Sequence, residues 1–517
     1  MKKGKGRPDS EKSRQELLDE IYYLRDVAGE REQQILRLRG GGTEDGARAV
    51  AELDRILRSR SWRLTAPLRW LGRLLGRPHG NEVAAATSTF VTDASSPAVP
   101  ESARVSSQTR ASPKPLVVEA RDGSERRLYV DATELALRQG KTGVQRVTRE
   151  ILRALLAAPP NGFVVQPVCA LPGQPYQSIR FFHEGEAAAE AVAFDARIAA
   201  RAGDVFLGLD HSIRAVVERA SELDAMHRNG VAIWFVCNDV LPLERPEWFP
   251  EEIPTEFDAW LRVVVTVADG VACISKATEF ALRARINAMR VARERPLAIG
   301  HFGLGADIAR AASDAERVTS EEATQFQRLQ SLTSFLMVGT LEPRKGHAQA
   351  LEAFDRLWAN GEDVILVVAG LPGWMTEVVQ RRIRHHDEFG RRLFWFSSAS
   401  DAMLERLYSS CSALLAPSEG EGFGLPLVEA ARFGLPILCR DLQVFREVAG
   451  PHAIYFHGHD PEALAHAIRG WVDAWRQGAV PDSRGIKPLT WSESARQLTA
   501  VVLAEAAAIA RARPPSG

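Results

Sequence analysis

Two glutamates, Glu421 and Glu429, stand eight positions apart around a glycine-rich stretch, ALLAPSEGEGFGLPLVEAARFGLP at residues 413–436. An apolar strand pattern runs to Pro417, and the loop that follows carries Gly420, Gly422 and Gly424. Spacing puts Pro426 at the first helical position, where a missing N–H costs nothing, and Gly434 at the end of that helix. A strand, a glycine loop and a helix N-terminus present free N–H groups and a positive dipole end to an anion. A loop carboxylate such as Glu421 can accept from sugar hydroxyls, and a helical one such as Glu429 from a vicinal diol. Glu429 could equally just oppose the helix dipole in its first turns. A second stretch, FLMVGTLEPRKGH at 335–347, places Arg344 and Lys345 just after another strand. Such a cation pair suits phosphate, although an exposed Arg-Lys pair also occurs in plain solvated loops.

The segment Glu421-Gly422-Phe423-Gly424-Leu425-Pro426-Leu427-Val428-Glu429 resembles the hallmark of family 4 retaining glycosyltransferases, also called glycosyl transferases group 1. That resemblance implies a GT-B fold: two Rossmann-like α/β domains facing a cleft. It assigns Glu421 to the donor sugar and Glu429 to the donor ribose. It places the loop-to-helix residues Gly422, Phe423, Gly424 and Leu425 against the nucleotide-sugar, and a cationic pair on its diphosphate. Lys345 matches the family lysine. Thr340 stands where many members carry arginine, which leaves Arg344 as the substitute. Ser397 and Ser398, after the strand RLFWF, fall where family backbone groups meet the nucleobase.

The N-terminal half is similar in a looser way. Gly140-Lys141-Thr142-Gly143-Val144-Gln145-Arg146 lies where the family has a glycine-rich loop near the diphosphate and acceptor, with Gly143 as its matched glycine. A plain turn is the alternative. FVCNDVLPL carries Asn238 in place of the family histidine that hydrogen-bonds the donor sugar. Asparagine can still hydrogen-bond there but cannot titrate near neutral pH. Ser275 and His301 sit in family-like strings and are expected to be structural.

Elements able to position these residues are legible from about residue 127. RLYVDAT, FVVQPVCAL, DVFLGLD, VAIWFVCNDV and GVACIS read as strands alternating with helices. After a break near 306–332, SFLMVGTL, DVILVVAGL, RLFWFSS, ALLAPS, PILCR and AIYFH repeat the alternation. Two successive βαβ series predict two parallel-sheet domains, with ligand at the carboxyl ends of the strands. The expected divisions are 126–315 for an acceptor domain, 316–490 for a donor domain, and 491–517 for a helix crossing back to the first domain.

The preceding 125 residues lie outside the resemblance. Residues 1–45 contain a heptad-like run (Leu17, Ile21, Leu24, Ala28, Ile35, Leu38), interrupted by Arg31, which suits a short coiled coil or a lone amphipathic helix. Residues 46–77 include seven arginines and no acid between Arg55 and Arg77, with Trp62 and Trp70 among leucines. That pattern suits an anionic membrane surface or a docked helix. Residues 78–125, rich in Ala, Ser, Thr and Pro, read as a linker.

Bulk properties are those of a globular chain: 517 residues, 45% hydrophobic and 25% charged, with net charge −1, which argues against nucleic acid as partner. The five cysteines form no CxxC pair and suit buried core positions in a reducing cytosol. No signal peptide or transmembrane helix is expected, so the chain is expected to be cytoplasmic, with peripheral membrane contact through 55–77 and self-association through 14–38. No Asp-x-Asp motif is present, so no metal and no cofactor beyond the donor is expected. Family membership implies retention of configuration and a saccharide or lipid-linked saccharide acceptor, with GDP-mannose or a GDP-deoxyhexose as donor. Two other readings stay open: a GT-B sugar-nucleotide epimerase, and a non-catalytic scaffold of a polysaccharide assembly.

Overall fold

The computed structural model describes residues 125–137, 142–183, 190–293, 295–307, 329, 332–397 and 399–512. The helix, basic segment and linker expected before residue 125 lie outside the described residues, as does Ser398.

Two sheets organise the described chain. The first comprises β1 (Arg126–Asp131), β2 (Phe163–Ala170), β3 (Tyr176–His183), β4 (Glu190–Arg197), β5 (Val205–Gly208), β6 (Ala232–Cys237), β7 (Gly270–Cys273) and β8 (Ala298–His301), in the order β4-β3-β2-β1-β5-β6-β7-β8. Strands β2-β1-β5-β6-β7-β8 run parallel. The second comprises β9 (Thr333–Val338), β10 (Val364–Ala369), β11 (Leu393–Phe396), β12 (Ala413–Ala416), β13 (Ile437–Arg440) and β14 (Ile454–Phe456), all parallel, in the order β11-β10-β9-β12-β13-β14. Its order reverses between β9 and β12, and that of the first sheet between β1 and β5. These are the two parallel-sheet domains that the alternation predicts, in the GT-B arrangement that the resemblance implies.

Central strands are continuous apolar runs because both faces are covered; every residue of β10 is buried. The antiparallel edge β3–β4 is a finding that the alternation did not foresee. The aromatic and Ile residues of β3 favour a strand, whereas the Glu, Asp and Ala content of β4 has weak strand preference and its pairing against β3 makes it one.

The helices that bear on the site are α1 (Gly143–Ala157), α2 (Lys276–Met289), α3 (His347–Ala359), α4 (Asp401–Ser410), α5 (Leu425–Phe433), α6 (Gln443–Ala449) and α7 (Trp491–Ala512). Helix α7 returns to the first sheet: Trp491, Leu498 and Val502 share a core with Val147, Ile151 and Leu155 of α1. Asp307 holds its start: its carboxylate accepts from the Trp491 backbone N–H at 2.6 Å, and its carbonyl accepts from Trp491 Nε1 at 2.9 Å. All five cysteines are buried and unbridged.

Candidate active site

Loops after β9 and β12 meet at the reversal of the second sheet, where a parallel sheet opens a crevice for ligand. Beyond β12 the chain turns at Gly424, whose φ of 100° suits glycine, and enters α5 at Leu425. Pro426 is therefore the second helical residue rather than the first, still within the turn whose N–H groups have no intrahelical partner. Gly434 closes the helix in the left-handed conformation at φ 67°. Beyond β9 a single 3-10 turn, Pro343–Lys345, leads through Gly346 into α3. Neither α3 nor α5 has a side-chain cap on its first turn, so two helix N-termini open onto one crevice.

The two loops exchange charge. Lys345 Nζ lies 2.6 Å from Glu421 Oε1, and Arg344 Nη1 lies 2.9 Å from Glu421 Oε2 and 3.0 Å from the Gly420 carbonyl. Arg344 also pairs with Glu342 at 2.8 Å. Burial would push the Glu421 carboxyl up, but the Lys345 and Arg344 charges outweigh it and hold it down at about 2. Burial would lower the Arg344 guanidinium, yet Glu421 and Glu342 raise it, with Asp239 adding to them from the first domain. Behind this cluster lies a cavity of about 20 Å³, lined by Lys345, His347, Ser418 and Glu421 among others, room for one water. His347 is buried beside it with neither ring nitrogen hydrogen-bonded. Burial, with Lys345 nearby, drives its pKa down to about 3, so the ring is neutral.

The first domain closes the other side. Asn238 follows β6, and a Cβ on Gly422 would lie 1.9 Å from its carbonyl oxygen, so only glycine permits this approach. Ser275 Oγ donates to the Gly422 carbonyl at 2.6 Å, with Thr278 Oγ1 at 3.1 Å from the same oxygen. Ser275, expected to be structural, thus grips the loop that carries Glu421 while also capping α2. Phe423 and Leu425 pack against the cores of both domains. Gly143 is the first residue of α1, and its Cβ position lies 4.0 Å from Leu425 Cδ1. Trp374 Nε1 donates to the Trp248 carbonyl at 2.9 Å, and its ring stacks on Phe249.

Glu429 is the fifth residue of α5 and almost fully buried. Its Oε2 accepts from the Tyr408 hydroxyl of α4 at 2.5 Å, and its Oε1 accepts from Arg146 Nη1 of α1. Spacing alone did not single out Arg146, Tyr408 or Thr278, although Arg146 stands three residues after Gly143. His301 pairs with Glu279 at 2.6 Å, away from these loops' contacts. Among the described residues no group of three or more His, Cys, Asp or Glu is arranged to hold a metal ion, and no helix is long and apolar enough to cross a membrane.

Comparison with known proteins fits this geometry. Residues 321–486 match the family model described as "Glycosyl transferases group 1". The chain is similar to the serotype-specific mannosyltransferase WbdA of Escherichia coli, at 37% identity over 375 residues, 72% of this chain and 46% of that protein. It is 30% identical over 171 residues to O-antigen chain mannosyltransferase B of Escherichia coli, 31% of this chain and 43% of that protein. The chain thus spans about half the length of the curated relatives it matches. Among solved structures, Anabaena Alr3699/HepE in complex with UDP and glucose aligns with 75% of this chain and 98% of its own, at 16% identity and a TM-score of 0.45.

Proposed function

We propose, from the glycosyl transferases group 1 domain that the chain carries across residues 321–486, that it is a glycosyltransferase moving a hexose from a nucleotide diphosphate-sugar to a growing saccharide. The observation that carries this reading is the cluster of Glu421, Lys345 and Arg344 at two open helix N-termini, facing Asn238 and Asp239 across the cleft. Breaking a sugar–diphosphate bond leaves a strongly anionic group, and preorganised cations and N–H dipoles stabilise it best where charge develops. Lys345 and Arg344 take that role, with the backbone from Gly422 to Leu425, and Gly143 lies across the cleft. Glu421, an acceptor held ionised, receives donor-sugar hydroxyls. Glu429 receives the ribose diol. Ser398 adds a contact near the base.

The reaction proceeds with retention and without metal. The acceptor hydroxyl attacks the face that the diphosphate vacates, and a phosphate oxygen takes its proton. No protein nucleophile is then required, and neutral Asn238 can serve where a titrating group would otherwise stand. The donor is GDP-mannose or a GDP-deoxyhexose; the mannosyltransferase names of the relatives support that choice. The acceptor is a saccharide or lipid-linked saccharide of a surface polysaccharide. Residues 55–77 would hold the enzyme at the inner face of the cytoplasmic membrane and residues 14–38 would pair with a second copy or a partner helix.

A thermal-shift panel of GDP, UDP, dTDP and ADP tests the donor. A nucleotide at 100 times its dissociation constant should add about 2.7 kcal/mol of stability. Silence with all four, together with no sugar transfer from GDP-mannose to a mannose oligosaccharide, would refute the proposal.

A further inference from the structure

The buried Glu429 carboxylate is held from both sides of the cleft. Tyr408, in its own domain, donates to Oε2, while Arg146, in the other domain, donates to Oε1. Only 4% of the Glu429 side chain and 20% of the Arg146 side chain is exposed. Arg146 is placed rigidly. It lies in the first turn of α1, whose start is locked by a reciprocal capping box between Thr142 and Gln145. Burial would lower the Arg146 pKa, but the Glu429 charge outweighs it and raises it.

A carboxylate offers about four lone-pair sites. Tyr408 and Arg146 occupy one on each oxygen, which leaves one on each oxygen for the two hydroxyls of a vicinal diol. We propose that Arg146 is a positioning residue that clasps Glu429 while the donor ribose occupies those remaining sites, so that nucleotide binding and closure of the two domains strengthen each other. The inference rests on the reading of Glu429 as the ribose acceptor. The physical reason is the cost of an unpaired buried charge. With the cleft open, Arg146 leaves and Glu429 must draw in water. With the cleft closed, the carboxylate is neutralised, aimed and dry, and its bonds to the ribose are charge-assisted. Reciprocity then follows from linkage: whatever closure adds to ribose affinity, ribose adds to closure.

A separate contact keeps this distinct from general domain adhesion. Glu447 of α6 accepts from the backbone N–H groups of Lys276 at 2.8 Å and Ala277 at 3.0 Å, bridging the same two domains without touching Glu429. Loss of Arg146 should therefore cut the link to ribose and leave this latch in place.

The test is calorimetry and small-angle scattering on the full chain with GDP and UDP, each against its 2′,3′-dideoxy analogue. Wild type should prefer the ribonucleotide that it binds by about 10-fold or more over the dideoxy form, and should compact on binding it. Arg146→Met should lose most of that preference by weakening the ribonucleotide alone, and should no longer compact. Arg146→Lys, which keeps the charge and guards against a folding defect in the first variant, should recover part of both. Tyr408→Phe should weaken ribonucleotide binding yet still compact. The clasp is overturned if Arg146→Met weakens both nucleotide forms equally or leaves the preference intact. If wild type binds neither GDP nor UDP, or binds ribo and dideoxy forms alike, the ribose reading of Glu429 itself falls and takes the clasp with it.

Discussion

Lys345 sets its ammonium 2.6 Å from a Glu421 oxygen, although 76 positions separate the two residues. They meet because β9 and β12 are neighbours at the point where the second sheet reverses its order, so the loops after both strands fall on one crevice. Arg344 completes the cluster from the same 3-10 turn. An arriving diphosphate would find two cations already in place, each shared with a carboxylate that the donor sugar would in turn engage.

Substituting Lys345 by alanine should therefore affect turnover more than folding. Arg344 still neutralises Glu421 in the variant, so Glu421 does not become a lone buried charge. Turnover should fall by about 100-fold or more, the scale for losing one charge-stabilising donor. Steady-state transfer kinetics, with a denaturation curve as control, measure both effects. A drop of less than a few-fold would remove Lys345 from the leaving-group site.

Activity should survive EDTA. In the proposed mechanism two cations and two helix N-termini would meet the leaving group, and the chain has no Asp-x-Asp motif. Transfer assayed before and after chelation and dialysis gives the answer. Full loss of activity, restored by manganese or magnesium, would contradict a metal-free mechanism.

Gly422→Ala should separate the domains without unfolding either. The added methyl would lie 1.9 Å from the Asn238 carbonyl, a backbone atom of the other domain that cannot rotate away. Ser275 and Thr278 would then lose their hold on the Gly422 carbonyl. Transfer should be nearly abolished while the thermal midpoint changes little, with a larger radius of gyration in scattering. A variant as compact and as active as wild type would disprove the close approach.

Asp210 should contribute a loss of stability as pH rises from the acid range through about 7. It is buried beside the ends of β1 and β5, and burial, reinforced by the Asp131 charge, pushes its pKa up to about 7. The folded state thus holds a proton that the unfolded state releases near 3.8. Its contribution is complete below that lower value, is lost progressively as pH rises from there through about 7, and is gone above it. His347 and Glu421 act at the other end. With folded values of about 3 and about 2, their contributions are complete above their unfolded values of 6.5 and 4.5 and are lost as pH falls toward the folded ones. Between pH 4.5 and 7.5 the denaturant midpoint of wild type should fall relative to that of Asp210→Asn. The readout is the slope, since asparagine can only partly replace the bonds to the Leu135 and His211 N–H groups. Equal slopes would show that Asp210 does not titrate in that range.

What the sequence determined by itself was local. The alternation of apolar runs specified two parallel-sheet domains, because a strand buried on both faces leaves a continuous apolar signature. The residues around Gly424 and Gly434 specified where α5 starts and stops to within one position, because turn and cap chemistry act over a few residues. The spacing of Glu421, Glu429, Arg344 and Lys345 marked the charged residues that the structure gathers around α5. Tertiary structure alone decided how those charges are shared. Arg146 reaches Glu429 across 283 positions, Ser275 reaches Gly422 across 147, and Glu447 binds the start of α2 across 171. It also made β4 a strand, since its Glu, Asp and Ala residues have weak strand preference and its pairing partner is β3. Spacing encodes contacts made along one element. Contacts made across a cleft depend on how two separately folded sheets dock, and no short-range pattern carries that geometry.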